Sequence, residues 1–468
     1  MATVADFAAR PFTLRTRAWA TLRDRRAIVV LSLVVAAALR LPTLFQPLLE
    51  VSSFRQTQTA YTALLYHRTG IDLLHTPLPI VGPPWEVPFE FPLFDAGGAV
   101  LMNLGLGLEP ALRGLSLVCF LATGLVLWRL IERERGSLEA VAALLFFLFS
   151  PFGLLWSRAA TFEYLATLLA VAFVAMATSW SRSGQTRILV GAIALGTLAM
   201  LVKITTGLIW IGPALLLVRG RLRFRVALVA IPLLAAVAWT AWADAIKATG
   251  PITRFLTSSA LASWNFGPIS QRLDPRVWRL FVHWAAPLGI AGLATAIFIP
   301  PRWERPGLRA WFLLALIGGP LLFTNLYRVH AYYWVAVSPA IAGLLAAGFT
   351  AAFQRWPNRR VAVATAATAL VFAAVIYARS RASWTLMYAP TWDPTRLLPI
   401  ATQIREATTQ DELVFLAGRD WTSAIFLYAD RRGIMLPNFV SEASLDLTGY
   451  TKFHCPPGGK PGLCVRDQ

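Results

Sequence analysis

The chain has 468 residues, of which 57% are hydrophobic and only 14% charged, and its net charge is +19. Soluble domains carry about 25% charged residues, so this composition excludes an ordinary soluble enzyme. The basic excess is not a nucleic-acid signature either, because the arginines recur in alternate short loops between apolar runs, the pattern of the positive-inside rule.

Arg10, Arg15, Arg17, Arg23, Arg25 and Arg26 precede the first apolar run, 27–45, which lacks a small-residue cleavage site and reads as a retained anchor. Further runs near the bilayer-spanning length follow at 113–131, 139–156, 162–180, 187–202, 205–218, 225–243, 279–299, 308–324, 332–352 and 361–379, about eleven in all. Arginine clusters at 129–135, 182–187, 219–225, 302–309 and 355–360 then fall on one side. With the N-terminus in the cytoplasm, the C-terminus lies outside. The expected fold is an all-α polytopic membrane protein with a small α/β C-terminal outer appendage. Residues 1–379 form the membrane domain, with outer loops 46–112 and 244–278, and residues 380–468 form the appendage.

Loop 46–112 opens with Glu50 and Phe54-Arg55-Gln56-Thr57-Gln58-Thr59-Ala60 and continues through a proline-rich stretch, Pro77 to Pro88. Its half-apolar run 93–108, interrupted by Asp95, suits an interfacial helix. In the tail, 395–409 reads as an amphipathic helix, 413–417 as a short strand and 420–429 as a second helix. Cys119 reads as an apolar packer, and Cys455 and Cys464 are free to pair if the tail is exported.

Ionisable groups near spans are costly and tend to serve function. Glu50 lies close to Arg55 and Gln56 in sequence, and a carboxylate held ionised beside an arginine can accept a proton from an attacking hydroxyl; the bland alternative is a helix cap with a surface ion pair. Glu90 and Asp95 stand in an apolar, proline-kinked stretch and either act in the site or tie the loop down. Arg158 presents a donor fork suited to phosphate, with Glu163 placed to orient it or to bind a sugar hydroxyl; the same pair would also serve as a clamp. Lys203 meets a phosphate or snorkels to the interface. Arg328, His330, Tyr332 and Tyr333 form either a phosphate cradle or an aromatic belt. All of these groups fall on the expected outer side, which suggests one outward-facing site. The sequence has no Cys/His metal motif, no phosphate-binding glycine loop and no nucleophilic-serine signature.

Taken together, Leu39-Arg40-Leu41, the acid-preceded Phe54–Ala60 segment, Glu90-Phe91-Pro92-Leu93, Ser157-Arg158 with Glu163, Lys203, and His330-Ala331-Tyr332-Tyr333 with Pro339 resemble the GT-C superfamily of membrane glycosyltransferases, in particular the bacterial relatives of protein O-mannosyltransferases and of the lipid A aminoarabinose transferase. The resemblance covers most of the chain. It implies a glycosyltransferase of the bacterial inner membrane that uses a polyprenyl-phosphate sugar and acts with inversion on a lipid, glycan or protein acceptor. It also implies an acid in the first outer loop as general base: Glu50 matches that position, and Glu90 takes the place of a second acid where related chains carry one at the position of Gln58. Arg55, Arg158, Lys203, Arg328, His330, Tyr332 and Tyr333 would bind the donor phosphate, and Gln56, Asp95 and Glu163 the sugar or acceptor. No cofactor is required, and a divalent metal is compatible. The expected partners are the donor and membrane lipids, with no nucleic acid. An oligosaccharide ligase using a pyrophosphate-linked donor and a transporter or flippase for a lipid-linked glycan are the alternatives.

Overall fold

The computed structural model describes residues 25–285, 307–355, 394–455 and 464–466. The expected span 361–379 and most of 279–299 lie outside them, as do the first four N-terminal arginines. Helix α1 (Arg25–Ala38) is followed by α2 (Ser53–Thr69), α3 (Leu93–Asn103), α4 (Leu108–Arg135), α5 (Ser137–Phe149), α6 (Pro151–Trp156), α7 (Glu163–Ser183), α8 (Thr186–Val202), α9 (Ile204–Ile211), α10 (Leu222–Lys247) and α11 (Pro275–Ala285). Beyond the undescribed stretch come α12 (Leu308–Leu322), α13 (Thr324–Val329) and α14 (Ser338–Arg355), then α15 (Pro394–Ala407) and α16 (Ser423–Ala429) in the tail.

Among the described residues, four segments are long and apolar enough to cross a bilayer: Arg26–Thr43, Leu108–Arg135, Glu163–Ser183 and Leu222–Lys247. Five further expected spans appear as shorter apolar helices, and the sequence says why several are short. The 139–156 run breaks where Ser150 Oγ accepts from Gly153 N–H at 3.0 Å and Pro151 opens α6, the usual chemistry of a helix start. The 187–218 pair breaks at Lys203, whose extended backbone (φ −160°, ψ 100°) separates α8 from α9. Large apolar side chains such as Val30, Leu31, Val34, Leu216 and Leu234 stay more than half exposed on the helix faces, which fits contact with lipid tails rather than water.

The helices alternate in direction, so that Arg40, Ser157, Glu163, Lys203, Lys247 and His330 mark one end of the bundle, while Arg135, Glu139, Arg182 and Arg309 mark the other. Loop 46–112 closes the first end. There α3 lies between α2 and α4, and Gly98 makes this approach possible: a Cβ at that position would meet Leu112 Cδ2 at 2.4 Å.

The tail forms the expected α/β unit. Strands β1 (Leu413–Ala417), β2 (Arg432–Met435), β3 (Tyr450–His454) and β4 (Val465–Arg466) make a sheet of order β2-β1-β3-β4, parallel except for β4. Cys455 and Cys464 are disulfide-bonded. The unit is bolted to the membrane domain. Loop residues 79–82 cover the free edge of β2 through Gly433 N–H to Pro79 O (3.0 Å), Met435 N–H to Ile80 O (2.6 Å) and Gly82 N–H to Gly433 O (3.0 Å), which satisfies an edge that would otherwise stay unpaired. Tyr61 Oη donates to Arg431 O at 2.7 Å, and the Thr57 and Ser423 hydroxyls meet at 2.8 Å. Gly433 is obligatory here: its φ is +156° and a Cβ would sit 1.8 Å from Val414 O. Gly433→Ala is expected to cost about 2 kcal/mol or more. Limited proteolysis of the solubilised protein should then cut within the sheet region 413–454, which stays protected in the parent protein.

Candidate functional site

Two charged clusters occupy the loop-covered end of the bundle. The first is built around Glu50, which is 2% exposed. Its Oε1 accepts from Arg113 Nη1 at 2.6 Å and its Oε2 meets Arg158 Nη2 at 2.6 Å, with both guanidiniums fully buried. Arg113 also donates to Gln46 O (3.2 Å), Pro47 O (2.9 Å) and Arg158 O (3.0 Å), so one side chain stitches the segment before α2 to α4 and to the turn after α6. Immediately beyond Glu50, Ser52 takes a left-handed φ of 59° and starts α2. That turn aims Gln56 at the backbone: its amide accepts from Ala160 N–H at 2.9 Å and donates to Val51 O at 3.0 Å.

The second cluster lies on the other side of the Arg158–Phe162 turn. Arg55 forms an ion pair with Glu90, and both remain partly exposed, at 14% and 24%. Lys203, released by the α8–α9 break, pairs with Glu163 at the first turn of α7. Phe162 joins the two pairs, with its ring 4.9 Å from the Arg55 guanidinium carbon and 5.6 Å from Lys203 Nζ. Lys203 Nζ also lies 3.9 Å from the Tyr333 ring centre and 5.2 Å from that of Tyr332. His330 stacks on the same tyrosines, with centroids 5.1 and 6.0 Å away. Phe91 N–H donates to Leu201 O at 3.1 Å, a carbonyl left open by the helix break, and so fixes the Glu90 loop over Lys203. From the appendage, Trp421 packs on Phe54 (5.0 Å) and Phe89 (6.3 Å), the residues immediately before Arg55 and Glu90. The result is a floor of two acids and two cations walled by aromatic rings.

No protein-family model matches the sequence, and no significant match exists among curated proteins. Solved structures do match. The chain aligns with ArnT from Cupriavidus metallidurans bound to undecaprenyl phosphate at a TM-score of 0.59 and 16% identity, covering 92% of this chain and 93% of that one. It aligns with the archaeal oligosaccharyltransferase AglB from Archaeoglobus fulgidus, in complex with an inhibitory peptide and a dolichol-phosphate, at a TM-score of 0.57 and 13% identity, covering 89% of this chain and 64% of that one. The chain has the GT-C fold.

Within this GT-C fold the residues singled out from sequence divide. Arg55, Glu90, Glu163, Lys203, Tyr332, Tyr333 and His330 share the second cluster. Glu50 and Arg158 do not present free chemistry: each oxygen of Glu50 is held by a buried arginine, and Arg158 is itself sealed against Glu50, so these residues brace the site. Gln56 is engaged by backbone groups through both ends of its amide. Arg328 points elsewhere, exposed, with its guanidinium on Asn325 Oδ1 at 2.9 Å, and Asn325 in turn holds the 257–273 loop through Trp264 O at 2.7 Å. His330 is not the cation expected, because burial together with Lys203 and Arg55 pushes its pKa down to about 4, so it is neutral at physiological pH. Asp95 lies 8% exposed beneath the site in α3, and burial, opposed by Arg55, pushes its pKa up to about 7. Arg113, Phe162 and Trp421 were missed. Arg113 stands at the first residue of the expected span 113–131 with nothing local to mark its partners, and aromatic walls carry no sequence signal apart from their neighbours. Among the described residues no group of three or more His, Cys, Asp or Glu could hold a metal.

Two outcomes follow. Glu50→Gln leaves buried Arg113 and Arg158 without their counter-charge and is expected to lower stability by about 3–5 kcal/mol, read as a depressed Tm in detergent. Asp95 keeps its proton in the native state up to about pH 7, while an unfolded aspartate releases it near 4. The native state therefore binds more protons across that window, and its stability falls as pH rises from about 4 to 7. Asp95→Asn should flatten that decline in a Tm-versus-pH series.

Proposed function

We propose that the chain is a glycosyltransferase that moves a sugar from a polyprenyl-phosphate-linked donor to a hydroxyl-bearing acceptor, with inversion, at the outer leaflet of a bacterial plasma membrane. The observation that carries the reading is the Arg55–Glu90 and Lys203–Glu163 floor at the loop-covered end of a GT-C fold. The solved relatives of this fold are described with undecaprenyl phosphate and dolichol-phosphate bound.

In the proposed reaction the acceptor oxygen attacks the anomeric carbon, the bond from that carbon to the phosphate oxygen breaks, and the lipid leaves as its phosphate. Glu90 takes the acceptor proton. It is the acid of this cluster with the greater access, and it lies against the Arg55 guanidinium. Arg55 and Lys203 meet the negative charge that grows on the departing phosphate. Glu163 holds Lys203 in place, and Tyr332, Tyr333 and Phe162 exclude water around it. Outward orientation is supported from two directions. Arg129, Arg133, Arg135, Arg182, Arg219 and Arg221 collect at the opposite end of the bundle, and the appendage on the site side carries a disulfide, a bond that persists in oxidising compartments. Charges gathered at helix ends, rather than lining the bundle at mid-depth, favour transfer over transport of the glycan.

The test is a transfer assay with purified protein and a radiolabelled polyprenyl-phosphate sugar, read by mass analysis of the product. Glu90→Gln should lose about 10²–10⁴-fold in kcat while keeping its Tm, which separates it from the brace variant Glu50→Gln. Lys203→Met should weaken binding of the lipid phosphate. A parental rate in Glu90→Gln would remove Glu90 as base.

A further inference from the structure

The end of the bundle away from that site holds a cavity. Helices α4 and α7 pack side by side and both start at the site, with Arg113 on one and Glu163 on the other. Arg129 lies sixteen residues beyond Arg113, and Arg182 nineteen beyond Glu163, which at 1.5 Å per residue is about 24–28 Å away, close to the thickness of a hydrocarbon core. There residues of both helices line a groove of about 260 Å³. This is below the size of a drug-sized pocket and suits a headgroup better than a whole amphiphile.

Its lining is graded along the membrane normal. Leu125 and Ala175 lie on the bilayer-centre side, Arg129 and Leu130 come next, and Arg133 and Arg182 lie at the rim. Arg182 is paired with Glu134 at 2.8 Å. Arg129 and Arg133 are exposed and meet no carboxylate among the described residues, and Arg129 lies 4.8 Å from the centre of the Trp128 ring. Two guanidiniums at the headgroup level of an apolar groove between helices match an acyl-bearing phosphate: a donor fork for the phosphate oxygens, and a hydrocarbon wall continuing inward for the chain. Topology alone needs arginines near this interface; it does not need them to rim a groove that turns apolar with depth.

We propose that this groove is a binding site for one anionic glycerophospholipid, with its phosphate on Arg129 and Arg133 and an acyl chain along Leu125 and Ala175. The site is separate from the proposed transfer chemistry and does not depend on it. The experiment is native mass spectrometry of delipidated full-length protein titrated with phosphatidylglycerol or phosphatidylcholine, with and without inorganic phosphate. The expected result is a single phosphatidylglycerol held about tenfold more tightly than phosphatidylcholine, a preference lost in R129Q/R133Q and in A175W, which fills the groove without touching charge, and kept in R221Q/R223Q, which removes two exposed arginines of another cluster. R129Q/R133Q alters only exposed side chains, so the test stands even if A175W folds poorly. Equal loss in R221Q/R223Q would mean diffuse attraction to a basic surface and overturn the proposal. So would an unchanged preference in R129Q/R133Q, or displacement of the lipid by equimolar inorganic phosphate, which would mean a free-anion site.

Discussion

Pairing of buried charge at one end of an apolar bundle is the constraint from which the rest of the architecture follows. A lone ion removed from water costs several kcal/mol even after relaxation, so Glu50, Arg113 and Arg158 can be buried only together. Their closure fixes three chain segments that are far apart in sequence: the stretch 46–50, the first turns of α4 and the turn 157–162. Two consequences follow directly. The left-handed turn at Ser52 starts α2 at a defined rotation, which sends Gln56 back to the brace and Arg55 out toward Glu90. The turn 157–162 presents Phe162 between Arg55 and Lys203. The brace thus sets the geometry of the second cluster.

Broken helices supply the other half. A continuous helix from residue 186 to 217 would satisfy all its own backbone groups and offer nothing to a loop. The break at Lys203 releases the Leu201 carbonyl, which accepts from Phe91, and turns the lysine side chain toward Glu163 and Tyr333. Irregular backbone within a membrane domain is tolerated where protein covers it, and here the cover is the loop that carries Glu90. The appendage closes the arrangement from outside: strand pairing at Gly433 holds the 79–82 stretch, and Trp421 packs on the aromatic neighbours of the ion pair.

What could be read from the sequence was what leaves a local mark. Apolar runs gave the helices, arginine spacing gave their alternation, and a short apolar run gave the 413–417 strand at its observed limits. Charge in unusual places pointed to Arg55, Glu90, Glu163 and Lys203. The sequence could not say which acid would be sealed and which left open, because Glu50 and Glu90 are equally conspicuous as letters. The difference lies in Arg113, fifty-eight residues beyond Arg55, whose partners come from segments that meet only after folding. The interruption at Lys203 is legible, since the apolar runs stop on either side of it, whereas the 139–156 run reads too long because its break at Ser150-Pro151 lies within continuous hydropathy.

The charge balance of the second cluster bears on how such a site would work. Glu90 and Glu163 are each matched by one cation, Arg55 and Lys203, and neither acid pair leaves an anionic excess of the kind that draws a divalent metal. An arriving lipid phosphate changes that balance. It competes with Glu90 for the Arg55 guanidinium, and phosphate is the partner that a planar donor fork grips in two places. Glu90, released from that contact, would then face the acceptor hydroxyl with the donor already in place.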